Sequence, residues 1–198
     1  LSQPMQELWA EKAKRIHKPN EADDPAEQFK KAGIFAEFGR VVCISVGIFQ
    51  QATNLPDPYQ YQLRIKSFYG TDERAILSGF NNTLDQHFDK RQHFLCAHNG
   101  REFDFPFMAR RTLIHGLTLP AMLDIAGKKP WEANHLIDTM QLWKFGDYKH
   151  FTSLPLLSAI FNIPPPKDDL DGAEVGHLFH EEGDVERIAH YCQKDVIA

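Results

Sequence analysis

Two short constellations in this sequence have residue types and spacings that suit a carboxylate-based active site. The first is His98-Asn99-Gly100-Arg101-Glu102-Phe103-Asp104. There a short apolar run ends, Asn-Gly turns the chain, and a carboxylate stands where a helical pattern begins. Ligands gather at the carboxyl ends of strands in open α/β sheets, which places Asp104 toward a cleft. Aspartate is also a good helix cap, and taken alone Asp104 is explained at least as well that way. The second constellation is Tyr191-Cys192-Gln193-Lys194-Asp195. Tyr191 and Asp195, four apart, share a helix face and can converge on one site. An isolated pair of this kind is more often a core tyrosine beside a solvated aspartate.

The elements that must position these residues are legible from periodicity and breakers. Residues 5–17 read as a polar helix and Asn20 to Pro25 as a loop. Val41 to Phe49 is β-branched and nearly continuous in apolar residues, which predicts a strand covered on both faces. Tyr61 to Tyr69 alternates, which predicts a strand near a sheet edge with one wetter face. Thr71 reads as the N-cap of a helix carrying Ile76, Phe80, Leu84 and Phe88. His93 to His98 is a short strand, and the helix after it has proline in its first turn. The next strand is expected from His135 to Leu142, after an insertion containing Lys128, Lys129 and Trp131. A helix from Ser153, with Pro155 early, runs to the stop at Pro164-Pro165-Pro166. The last helix, from about Asp184, carries Val185, Ile188, Ala189 and Cys192 on one face. Strands in a run and then alternating with helices imply an α/β layered domain with a mixed sheet.

Composition narrows the class. With 198 residues and 42% apolar content the chain can bury one sizeable core, which predicts a single domain over residues 1–198. No stretch approaches the roughly 18 apolar residues of a membrane span, and the N-terminus has no apolar signal block, which points to a soluble cytoplasmic protein. Cys43, Cys96 and Cys192 lack paired spacing and read as reduced core thiols. The formal charge of −5 argues against a protein that coats polyanions, because such affinity comes from Lys and Arg. It leaves room for an enzyme whose carboxylates hold cations that meet the phosphate. The histidines are scattered without metal-ligand spacing, and Asp168-Asp169-Leu170-Asp171 lacks the ligand order of a calcium loop. Lys128, Lys129, Lys144 and Lys149 can line a phosphate path with Trp131 or Trp143 to stack on a base, although an ordinary mixed surface explains them slightly better.

Taken together, the N-x-x-x-F-D pattern from Asn99 to Asp104 and the YCQKD pattern about 90 residues later resemble the second and third motifs of the DEDDy 3′→5′ exonucleases. The likeness is to the proofreading domain of family-B DNA polymerases and the predicted stand-alone exonucleases related to it. It runs from about Gly39 to Ala198 and takes in the Val41 strand, the Asp138-Thr139 strand end and SLPLLSAIFNIP. The resemblance implies a ribonuclease H-like fold, with a mixed central sheet flanked by helices, and four carboxylates holding two Mg²⁺ or Mn²⁺ ions about 3.5–4 Å apart. In that scheme Asp195 is a direct metal ligand and Asp104 holds or orients the second ion. Tyr191 hydrogen-bonds the attacking water. Asn99 fixes the turn and faces substrate, while Phe103, beside it, mainly packs. The implied partner is single-stranded nucleic acid, DNA before RNA.

The sequence departs from this family in one respect: no apolar strand carrying Asp-x-Glu, the family's first motif, precedes Val41. The acids upstream, such as Glu7, Glu11, Glu21 and Glu27, stand in polar company. In the family fold that strand is central, between the strands at Val41 and Phe94, and its loss leaves unpaired backbone in a core. The simplest expectation is a protein that extends beyond both ends of these 198 residues. The chain alone is then inactive, since two carboxylates are too few to fix two metals. A non-catalytic nucleic-acid or protein interaction module on the same scaffold is the competing expectation.

Overall fold

A computed structural model describes residues 2–16, 24–51, 61–163, 170 and 172–198. In chain order the elements are α1 (Gln3–Ile16), the short α2 (Pro25–Gln28), β1 (Cys43–Gln51), β2 (Tyr61–Tyr69), α3 (Glu73–His87), β3 (Leu95–Ala97), α4 (Asp104–Ile114), β4 (Leu136–Asp138), α5 (Thr139–Lys144), α6 (Leu154–Ile160), α7 (Val175–His177) and α8 (Val185–Ile197). The molecule is mixed α/β. Its strands form two separate ladders: β1 pairs antiparallel with β2, and β3 pairs parallel with β4 in register Leu95 to Leu136. Among the described residues no strand joins them, so the single mixed sheet is not formed.

One core nevertheless spans both ladders. Ile76, Leu77, Phe80 and Leu84, spaced along one face of α3, pack with Val41 and Ile44 on the β1 side and with Phe105, Phe107, Met122 and Leu136 on the β3–β4 side. Apolar burial therefore spans the two ladders, which share no strand-to-strand hydrogen bonds. A smaller cluster of Trp9, Ala13 and Ala32 fixes α1, whose Trp9 Nε1 donates to the Pro25 carbonyl at 2.7 Å.

Several local expectations are corrected. The cap of α3 is Asp72, whose carboxylate accepts from Ala75 N–H, not Thr71. β1 is not covered on both faces: only its first half is packed, and Ile48 and Phe49 are exposed. Nothing described pairs with its second edge or covers its far end. The expected strand His135–Leu142 ends at Asp138, because that side chain accepts from Met140 and Gln141 N–H and starts α5 instead. Helix α6 stops at Ile160, before the prolines, where Asn162 takes a left-handed φ of 55°. Pro164 to Pro166 and the acids Asp168, Asp169 and Asp171 lie outside the described residues, as does most of the expected Asn20–Pro25 loop. All three cysteines are free thiols, but Cys96 is exposed rather than in the core.

A buried charged group locks α3, α4 and the segment before β1. Arg111 Nε donates to Glu73 Oε1 at 2.8 Å and its Nη2 to Oε2, while Val41 N–H and His115 also bond the Glu73 carboxylate and Arg111 Nη1 bonds the Ala36 carbonyl. Burial pushes the Glu73 carboxyl up, but the hydrogen bonds from Arg111, Val41 and His115 outweigh it and hold the group below its ordinary value. A depressed carboxyl adds stability above its unfolded-state pKa and loses it as pH falls through the folded-state value. Glu73→Gln should cost about 3–5 kcal/mol at neutral pH, because Arg111 is left buried without its counter-charge. Urea midpoints at pH 7 and at acid pH check this: the difference between variant and parent should shrink as pH falls.

Candidate active site

The site is built around a turn that only certain residues permit. After β3 the chain reverses at Asn99, with φ of 62° in the left-handed region, which asparagine tolerates better than most residues. Gly100 follows because a Cβ there would lie 2.5 Å from the Ala97 Cβ and 3.0 Å from the Phe105 ring. This reversal lets α4 begin at Asp104 against the end of β3. The cap position is Phe103, which supplies no side-chain cap bond, so Asp104 is not consumed as the N-cap of its helix.

Asp104 is half-buried. Burial pushes its carboxyl above the usual range against the pull of its own backbone amide, the Asp138 charge pushes it further up, and His98 partly offsets this. An acid raised on folding costs stability above its folded-state pKa. The cost disappears when a proton or a cation arrives. The local electrostatics thus favour positive charge beside Asp104.

Asp138 is the residue that sequence reasoning undervalued. It is 3% exposed, and its carboxylate accepts from Asn99 N–H at 3.0 Å, Arg101 N–H at 3.0 Å, Met140 N–H at 3.0 Å and Gln141 N–H at 3.3 Å. One side chain caps α5 and clamps the Asn99 turn. Arg101 completes the clamp, its Nε donating to the Leu136 carbonyl at 2.9 Å and its Nη2 to the Ala133 carbonyl at 2.6 Å. His98 Nε2 donates to the Thr152 carbonyl at 2.8 Å, and its Nδ1 shares a hydrogen bond of 2.9 Å with the Thr139 hydroxyl. The available signal was an aspartate at a strand end before a helical pattern. Phe103 is exposed and packs against Phe107, ring centroids 5.5 Å apart.

The second constellation sits on α8, which lies against β1 and β2. Gly47 allows the approach, since a Cβ there would stand 2.8 Å from Val196. Gln193 Nε2 donates to Ser67 Oγ at 2.9 Å and fixes the helix rotation. Tyr191 is half-buried against the cluster of Leu170, Leu178 and Ile188, and Asp195, one turn on, is exposed. His190 is exposed on the neighbouring face. Cys192 and Cys43 of β1 share a hydrogen bond, which pushes the Cys43 thiol up and the Cys192 thiol down. Among the described residues no three His, Cys, Asp or Glu side chains form a metal-holding group. Asp104 is placed with β3 and β4, and Asp195 with β1 and β2.

Over residues 34–198 the sequence matches the family described as predicted 3′-5′ exonucleases related to the exonuclease domain of PolB. The chain belongs to that family. No curated protein and no solved structure matches it. The match to this PolB-related exonuclease family takes in both constellations and both ladders, and leaves α1 and α2 outside. No helix among the described residues is long and apolar enough to cross a membrane.

Proposed function

We propose that this chain is a single nuclease domain that works as a two-metal 3′→5′ exonuclease and trims single-stranded nucleic acid, DNA in preference to RNA. The observation that carries the proposal is Asp104: a half-buried carboxylate, not spent on capping and raised by its surroundings, at the strand-to-helix turn of a PolB-related exonuclease. The wider ribonuclease H-like reading is supported by the antiparallel β1–β2 pair and the parallel β3–β4 pair lying on one core. A strand between β1 and β3 would join the ladders into one mixed sheet and bring the α8 and α4 carboxylates to a common edge. Such a strand carrying Asp-x-Glu supplies the two acids the site requires beyond Asp104 and Asp195.

The donors fit Mg²⁺ or Mn²⁺, because carboxylate oxygens are hard ligands. Two bound ions would supply an activated water and stabilise the departing 3′ oxygen. Asp195, being exposed, would hold one ion directly, and Asp104 would hold or orient the other. The Tyr191 hydroxyl would orient the attacking water. Asn99 would present its side chain to substrate from the turn that Asp138 clamps, with Phe103 beside it. Tyr191→Phe should lower kcat by about 10²-fold while leaving Mn²⁺ affinity unchanged, since a hydroxyl that positions a proton acts mainly on the chemical step. Paired measurement of kcat and Mn²⁺ binding checks this.

The test of the function uses 5′-labelled single-stranded DNA with Mg²⁺ or Mn²⁺. A descending ladder from the chain joined to an upstream Asp-x-Glu strand, with no cleavage by the 198-residue chain alone, supports the proposal. Cleavage of equal rate by both would refute the assignment of the acids. The competing reading is a non-catalytic nucleic-acid or protein binding module on the same scaffold. Binding without cleavage by the joined protein would establish it.

A further inference from the structure

The loop between α5 and α6 carries aromatic side chains that neither packing nor backbone preference explains. At its start Asp147 N–H bonds the Lys144 carbonyl at 2.8 Å, closing a turn whose central residues, Phe145 and Gly146, have φ of 46° and 89°. Turns with two left-handed residues favour Asn-Gly, and a bulky side chain at the first position is strained. Phe145 is also 91% exposed, so no burial offsets that strain. Tyr148 and Phe151 follow at 83% and 68% exposure. Lys144 precedes Phe145, and Lys149 stands between Tyr148 and Phe151. Asp147, the acid of the loop, accepts from His150 Nδ1 at 2.7 Å and from Lys149 N–H at 2.9 Å, so its charge serves the turn itself.

The loop is continuous with the candidate site. Near its end the Thr152 carbonyl accepts from His98, the residue before Asn99. Exposed rings interleaved with lysines and tethered to a phosphate-cleaving turn make a surface suited to unpaired bases, which stack on aromatic faces while lysines meet the phosphates.

We propose that Phe145, Tyr148 and Phe151 form a stacking platform that receives single-stranded nucleic acid beside the active site. The proposal rests on the exonuclease reading, because the occupant is the substrate of that site. The platform needs no metal, and its test needs no catalysis. Anisotropy of a fluorescein-labelled oligothymidylate in EDTA would be measured with the full chain and with Phe145→Gly, Tyr148→Ser and Phe151→Ser, together with thermal melts. Each substitution should weaken binding about 10-fold. Phe145→Gly should at the same time raise Tm by removing the strained side chain, an opposite sign that a merely structural role would not give.

Undiminished binding by all three variants overturns the platform and leaves the exonuclease reading standing. Unchanged binding with a shift in oligomeric state on size exclusion also overturns it and assigns the face to protein contact. No binding by the parent chain overturns it too, while the labelled-strand assay decides the exonuclease reading separately.

Discussion

Asp195→Asn is expected to reduce 3′→5′ trimming by the joined protein about 10³-fold or more, roughly 4 kcal/mol of barrier, without lowering thermal stability. The change is nearly isosteric, but it removes the negative charge that would hold a divalent ion directly. Asp195 is exposed near the end of α8, where asparagine is as well solvated as aspartate. Asp104→Asn should cause a loss of similar size with a different signature. Removing a half-buried charge that Asp138 repels should leave folding intact or raise Tm slightly. Rates from the labelled strand and melting curves on both variants check this, and a stable, fully active Asp195→Asn enzyme would exclude the residue from the site.

The second large effect is expected at Asp138. Asp138→Ala should cost about 3–5 kcal/mol, because it strips the buried Met140 amide and the half-buried amides of Asn99, Arg101 and Gln141 of their acceptor. The loss is smaller than four separate bonds, since water can reach some of these amides once the side chain is gone. Activity should fall as well, through the position of the turn rather than through lost contact with substrate. Asp138→Asn separates the two roles: it fills the space and keeps one acceptor oxygen, but turns a side-chain amide NH2 toward a backbone donor, so stability should fall less than in Asp138→Ala. Urea unfolding followed by far-UV circular dichroism gives the order parent, Asn, Ala. Equal stability of parent and Ala would show that the clamp is unimportant.

How much of this was written in the sequence depends on the range of the interaction. Helix α3, with its apolar residues four apart, and the two strands β1 and β2, though not their pairing, were legible because periodicity is local. So was the Asn99 turn, where Asn-Gly is the local solution to a left-handed residue and a close approach. The end of β4 was not. A run from His135 to Leu142 reads as one strand until Asp138 folds back on Met140 and Gln141, a choice made jointly with the Asn99 turn far away in sequence. The exposure of Ile48 and Phe49 was also illegible, because an apolar run does not announce that, among the described residues, its far end is left uncovered.

At the site, residue types were easier to read than their placement. Asp104 and Tyr191-Asp195 stood out as a pair of motifs, and their family is borne out by the match over residues 34–198. In the proposed site their convergence would depend on a strand that joins the two ladders, and neither motif carries that information. Asp138 was passed over as a supporting strand end because its importance lies in four backbone partners, which leave no pattern in side-chain types.

The central claim is that Asp104 and Asp195 hold two neighbouring divalent ions when an Asp-x-Glu strand joins the ladders. Electron paramagnetic resonance of Mn²⁺ bound to the joined protein tests it most directly. Two ions per chain are expected, with the spin coupling of a pair about 3.5–4 Å apart, reduced to one uncoupled ion in Asp195→Asn. Two uncoupled ions in the parent, or a coupled pair that survives in the Asp104→Asn, Asp195→Asn double variant, would contradict it.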